Sequence, residues 1–260
     1  MVSHDQPSVS DLKSSPGSQD SAETDLIAEL VIANHILFQR GVVDGFGHVS
    51  ARHPSDPKRF LLARNTAPGQ VTADDILEFG FDGEPLNENG RPVYLERFIH
   101  SEIYSARPDA MAIVHSHSHS IVTLSISKTA RLRAVFHMAG FIGEEAPLFE
   151  IRDAGGPATD LLISNARLGK ALARCCGDHN IVLMRGHGST VIADSLRLAV
   201  FRAVYAEVNA RYQCDAARFG EVVYLSKEES EATSRSVEKQ STRAWNLWKE
   251  EVTRKSHRQV

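Results

Sequence analysis

The 260-residue sequence predicts a single mixed α/β domain. Short apolar runs of strand length, such as Met111–Val114 and Ile181–Met184, end in histidines or turn residues. Between such runs lie stretches with apolar residues at three- and four-residue steps, as over Glu96–Ala106. No internal repeat or linker divides residues 23–250, which leaves flanking tails at 1–22 and 251–260.

Composition removes several functions. Lys and Arg number 29 against 33 Asp and Glu, and no basic stripe stands out, so nucleic acid is not an expected partner. No apolar run approaches the ~20 residues that a membrane span needs, and residues 1–22 hold no apolar signal core. The three cysteines, Cys175, Cys176 and Cys214, make no disulfide framework, which fits a reducing cytoplasm. A small-molecule substrate remains.

Taken in order, residues 1–22 are polar and expected to be disordered. A helix follows from about Glu23, with Leu26, Leu30, Ala33 and Leu37 on one face and Gly41 to end it. After Gly45 and Gly47, a strand puts Val49 and Ala51 on one face and His48, Ser50 and Arg52 on the other. Pro54–Pro57 turns it into an antiparallel partner at Arg59–Ala63, and Ile76–Phe79 is a third strand before the Asp82–Gly83 turn. The helix over Glu96–Ala106 stops at Pro108, and the next strand runs into His115. A helix then starts at Ser118 or Ser120, and two short strands are expected within 134–152, around Gly140 and Gly143. Helix is predicted over Ala158–Cys175, strand over Asn180–Met184 and Thr190–Ile192, and a long helix from Asp194 to about Arg218. A last charged helix over 227–250 carries Trp245 and Trp248, which are expected to cover an interface with another subunit.

The chemistry concentrates in Ile113-Val114-His115-Ser116-His117-Ser118-His119. In an extended chain His115 and His117 point to one side, and His119 joins them only if the strand continues. Two imidazoles on one face make a metal-binding pair in need of a third ligand; alternatively the stretch is a polar Ser/His loop without metal. His187, between Gly186 and Gly188 at a strand end, supplies a third imidazole, and Glu96 a carboxylate at a helix start. Three imidazoles with a carboxylate suit a divalent transition metal with an open position, with zinc, manganese and iron all compatible.

Gly47-His48-Val49-Ser50, Pro68-Gly69, Glu96-x3-His100, His115-x-His117 and Gly186-His187-Gly188, in that order, resemble the class II aldolase/adducin family over about residues 23–225. The resemblance implies a three-layer α/β/α fold around a largely antiparallel sheet and a metal held by His115, His117 and His187. It also implies Glu96 as catalytic acid/base and possible fourth ligand, and a homotetramer with active sites at subunit interfaces. The family's sugar-phosphate aldolases cradle phosphate with an Asn, a Thr-Pro-Ser/Thr-Gly loop and a Ser-Ser pair. This chain has His48, Thr66-Ala67-Pro68-Gly69 and Tyr94-Leu95 in those places. A phosphate dianion needs several donors to replace its water, so the pattern looks closer to members that decarboxylate hydroxylated aromatic or heteroaromatic acids.

His48 and His100 join Glu96 as candidate proton carriers. Arg52 and Arg64 are candidates for gripping a substrate carboxylate, and Tyr94, Leu95 and His119 for lining its site. Three alternatives use the same scaffold: an aldolase for an unphosphorylated hydroxy-keto acid, a non-haem Fe(II) oxygenase, and a non-catalytic adducin-like binding module.

Overall fold

The computed structural model describes residues 16–256. Seven strands form one sheet: β1 (His48–Arg52), β2 (Arg59–Ala63), β3 (Ile76–Gly80), β4 (Ala112–Ser116), β5 (Leu148–Phe149), β6 (Ile181–Met184) and β7 (Gly188–Ala193). Their spatial order is β3-β2-β1-β4-β7-β6-β5, and every neighbouring pair is antiparallel except β5 with β6. Eight α-helices accompany it: α1 (Pro16–Gln39), α2 (Arg97–Ala106), α3 (His119–Ser125), α4 (Arg152–Gly155), α5 (Ala166–Cys176), α6 (Leu196–Ala216), α7 (Lys227–Val237) and α8 (Ser241–Ser256). None is long and apolar enough to cross a membrane.

Register divides the sheet into two chemically distinct faces. Directly paired residues on adjacent strands share a face, and His48 pairs with His115, Ser50 with Ile113, and His115 with Thr190. These side chains meet α2, whose His100 and Tyr104 bond Ser50. The alternate residues Val49, Ala51 and Val114 are buried on the other face, where α1 packs on β1 and α6 on β4 and β7. The layered fold and the largely antiparallel sheet expected from the sequence are both present.

Several expectations need correction. The helix expected from Glu23 begins at Pro16, where a missing N–H costs a first turn nothing. Only residues 1–15 of the expected tail lie outside the described residues. At the other end α8 runs through 251–256, leaving 257–260 outside. The segment 134–152 holds one two-residue strand and a 3-10 turn over His137–Ile142 in place of two strands. Side chains of α6 explain this: Asn209 accepts the Val135 N–H and donates to the Arg133 carbonyl, while Gln213 bonds the Arg133 N–H and Arg131 carbonyl. With the Ala134 N–H bonded to the Gly143 carbonyl and its carbonyl accepting from Leu225 as well, the backbone at the entry to the stretch is occupied and no ladder starts there.

Helix α5 starts at Ala166, not Ala158, where the Asn165 side chain caps the Leu168 N–H. The preceding leucines form a loop, with Leu161 in the left-handed region at φ 71°. The C-terminal helix is two helices, broken by a 3-10 turn at Glu238–Gln240 that the Arg202 guanidinium holds through Glu238.

The tryptophans are the largest revision. Trp245 and Trp248 are only 1% and 6% exposed, sunk where α8 packs on α1 and α6. Arg40 lies 5.2 Å over the Trp248 ring and Arg197 5.7 Å over that of Trp245. The chain itself buries them, so they no longer argue for a subunit interface. Trp245→Ala is expected to destabilise the fold by about 3–5 kcal/mol, read as a lower urea midpoint.

Candidate functional site

Strand β4 delivers His115 to the middle of the sheet and ends one residue later, so His117 leaves the strand rather than extending it. The two imidazoles still converge, with Nε2 atoms 3.0 Å apart. His187 arrives from the β6–β7 turn, its Nε2 3.0 Å from that of His117. That turn is shaped by its two glycines. Gly186 adopts φ 64°, and a Cβ on Gly188 would fall 2.0 Å from the Ser116 carbonyl oxygen. The glycine at 188 is what lets β7 close on β4 beside the histidines.

Glu96 stands at the N-terminus of α2 without capping it. Its Oε2 lies 3.3 Å from His187 Nε2 and 3.7 Å from His115 Nε2. Its Oε1 accepts the Ile163 N–H at 2.9 Å. The four ligand-type atoms of Glu96, His115, His117 and His187 all lie within 4.8 Å of one another.

Backbone carbonyls orient two of these imidazoles. His115 Nδ1 lies 3.0 Å from the Ser189 oxygen and His187 Nδ1 2.9 Å from that of Leu161. A carbonyl only accepts, so each Nδ1 carries a proton, which leaves Nε2 of the neutral ring with its lone pair facing inward. Lone pairs facing one another beside a carboxylate repel unless a cation lies among them, and this donor set fits a divalent metal. Burial holds His115 and His117 below the usual imidazole range, with neighbouring imidazoles adding to it. Burial also opposes the His187 proton, but the Glu96 bond and charge and the Leu161 carbonyl outweigh it and hold His187 above that range.

A cavity of about 290 Å³ opens beside this group, lined among others by Phe46, His48, Tyr94, Leu95, Glu96 and Leu162. The Tyr94 hydroxyl donates to the Thr66 carbonyl, so this residue offers the cavity a ring face. Burial pushes its phenol up to about 12. Leu95 is half exposed. His48 is buried at the cavity wall, its ring 5.0 Å from that of His115. His100 lies behind it, fully buried and away from the cavity lining, where burial depresses its imidazole to about 3.

Other sequence candidates stand elsewhere. Arg52 bonds the carbonyls of Ala110, Pro57, Tyr104 and Arg107, so its guanidinium is committed to the C-terminal end of α2, the loop after it and the β1–β2 turn. Arg64 pairs with Asp75 at 2.6 Å and does not line the cavity. His119 opens α3 and lines a neighbouring cleft that shares His117. Conversely, Phe46, Leu162, the Leu161 carbonyl and the Ile163 N–H belong to the site and were not expected there. The last three sit in the loop that the leucine spacing had disguised as helix.

Gly188→Ala is expected to force β4 and β7 apart and to destabilise the protein by roughly 1–3 kcal/mol, read in a denaturant melt.

With this geometry in hand, likeness to known proteins becomes informative. Decarboxylase tropJ of Talaromyces stipitatus is 35% identical over 241 residues, covering 84% of this chain and 90% of that protein. The 3,4-dihydroxyphthalate decarboxylase of Rhodococcus jostii is 31% identical over 201 residues, covering 73% and 80%. The solved L-fuculose 1-phosphate aldolase from Glaciozyma antarctica superposes with a TM-score of 0.77 at 18% identity, covering 98% of this chain and 96% of that one, a likeness of fold. The family described as Class II Aldolase and Adducin N-terminal domain matches residues 28–214. The chain therefore belongs to the class II aldolase and adducin N-terminal domain family.

Proposed function

We propose that this lyase decarboxylates a hydroxylated aromatic or heteroaromatic carboxylic acid, using a divalent metal held by His115, His117, His187 and Glu96. The observation that carries the reading is the wall beside the ligand group. Tyr94 turns its ring inward and its hydroxyl to Thr66, next to Leu95 and Leu162. Charge-assisted hydrogen bonds contribute roughly 1.5–3 kcal/mol each, so two missing donors weaken phosphate binding by about two to four decades. A flat ring gains apolar contact on the same wall. The names of two relatives, a decarboxylase and a dihydroxyphthalate decarboxylase, support the reading.

When bound, the metal supplies Lewis-acid stabilisation of the negative charge that develops on the substrate's oxygens. The rest is work for side chains. A proton placed on the carboxyl-bearing ring carbon turns the neighbouring hydroxyl into a carbonyl; cleavage of the ring–carboxylate bond then passes its electron pair toward that oxygen, CO2 leaves and the ring regains its aromaticity. Glu96 is the carrier, with Oε2 at the ligand group and Oε1 steadied by Ile163. The positions of Arg52 and Arg64 suit this chemistry. A guanidinium on the carboxylate would stabilise the charged ground state, whereas the departing CO2 is neutral. Besides Glu96 and His117, Asn65, Thr66 and His48 are polar residues lining the cavity beside the apolar wall.

An aldolase for an unphosphorylated hydroxy-keto acid would use the same groups, and a CO2-release screen separates it. An Fe(II) oxygenase would consume O2, so anaerobic turnover excludes it. We also propose a homo-oligomer, tetrameric by family resemblance, to be tested by light scattering. A cytoplasmic location is supported by the free thiols of Cys175, Cys176 and Cys214.

Purified protein is expected to carry one divalent ion per chain and to release CO2 from hydroxybenzoates or hydroxypyridine carboxylates, cleaving fuculose or rhamnulose phosphate only at background rate. Efficient sugar-phosphate cleavage without CO2 release from any aromatic acid would overturn the reading. Replacing His115, His117 or His187 by Ala is expected to lower metal content at least about tenfold, by elemental analysis. Glu96→Gln is expected to keep the fold and much of the metal while turnover falls on the order of 10²–10⁴; near-normal turnover would remove Glu96 as the proton carrier.

A further inference from the structure

We infer that Tyr104, Ser50 and His100 form a hydrogen-bond chain of fixed direction that holds His48 with its proton on Nε2, presenting an N–H donor to the substrate cavity. The inference rests on the reading of that cavity as the substrate site.

The chain runs inward from the cavity wall. His48 Nδ1 lies 2.6 Å from His100 Nε2, His100 Nδ1 2.6 Å from Ser50 Oγ, and Ser50 Oγ 2.8 Å from the Tyr104 hydroxyl. All four residues are buried, three of them at 1% exposure or less. Among the described residues, the Tyr104 hydroxyl has Ser50 as its hydrogen-bond partner, and Ser50 Oγ has only His100 and Tyr104.

Counting protons fixes the direction. If Tyr104 donates to Ser50, Ser50 donates to His100 Nδ1, and His100 then carries its proton on Nε2 and donates to His48 Nδ1. Every hydrogen has an acceptor, and the remaining His48 proton sits on Nε2. If the direction is reversed, His48 donates to His100, His100 to Ser50 and Ser50 to Tyr104, which leaves the tyrosine O–H with no acceptor in a dry interior. In a third arrangement both His100 and Tyr104 donate to Ser50, and the serine O–H is orphaned instead. An unmet buried donor disfavours each of these by roughly tenfold or more. The 2.6 Å contact between His48 and His100 holds a single proton, and a second proton on His100 would bury an unpaired positive charge at 0% exposure, so the count of one proton per ring holds.

The far end of the chain has a free donor. His48 Nε2 has no hydrogen-bond partner among the described residues, and His48 lines the cavity with Glu96 and Tyr94. A nitrogen that carries a proton cannot serve as a base or ligate a metal. It serves instead as a neutral donor to an anionic substrate oxygen, positioned by three residues that never touch the substrate. Glu96 and His48 thus divide the work: Glu96 moves a proton, and His48 holds an oxygen. His100, expected from the sequence to be a proton carrier, is a positioning residue here.

The test is a two-bond ¹H–¹⁵N spectrum of the zinc-loaded, full-length protein labelled at histidine, with His48→Gln and His100→Gln to assign the signals. Both residues are expected as Nε2–H tautomers, and a His48 protonated on Nδ1 would overturn the inference. In turnover, Ser50→Ala is expected to lower kcat about tenfold or more at unchanged metal content, and Ser50→Thr, which keeps the hydroxyl, to recover most of it. Equal losses in the two variants, both folded, would overturn the positioning role. The spectrum requires no turnover, so a protein that releases no CO2 would count against the decarboxylase reading while the spectrum still decides the tautomer.

Discussion

The close approach of β7 to β4 at Gly188 and Ser116 is the contact on which the site depends. It fits the register in which His115 faces Thr190, on the strand edge opposite to the one where His115 faces His48, and it aims His187 across the strand end. Because side chains alternate across a sheet, this register places His48, Ser50 and His115 on the α2 face and Val49, Ala51 and Val114 against α1 and α6. A slip of one residue would exchange the two sets. Sheet pairing is thus also what assembles the ligand group.

Around that frame, backbone atoms do much of the orienting. The Ser189 and Leu161 carbonyls fix the protonated nitrogen of His115 and His187, and the Ile163 N–H fixes one oxygen of Glu96. Main-chain groups in a packed loop have few alternative positions, so they hold ligand geometry well. The loop before α5 is irregular for this reason. A helix there would turn the Leu161 carbonyl and Ile163 N–H into its own hydrogen bonds and leave the site without them.

The cavity then gains its character from what its neighbours do with their polar atoms. Tyr94 commits its hydroxyl to Thr66, Arg64 its charge to Asp75, and Arg52 its donors to four carbonyls. What remains is an apolar wall facing a cluster of imidazoles and one carboxylate. That contrast is what the proposed aromatic substrate rests on.

The amino-acid sequence by itself determined the members of the candidate metal cluster and most of the sheet. His115, His117, His187 and Glu96 were legible because histidines at strand ends, flanked by glycine or serine, have few structural uses. β1, β2, β3, β4, β6 and β7 were legible because apolar runs and turn residues are local signals. Only the tertiary structure decided the rest. The spacing of Leu161 and Leu162 fits a helix, but the site required their backbone elsewhere. Residues 134–152 look like strands, but Asn209 and Gln213, some 70 to 80 residues away, satisfy the backbone of 131–135. Trp245 and Trp248 look fit for an interface until α1 and α6 are seen to cover them, and Arg52 looks available until four carbonyls surround it. In each case the deciding partner is remote in sequence, and no local pattern carries the position of a distant hydrogen bond.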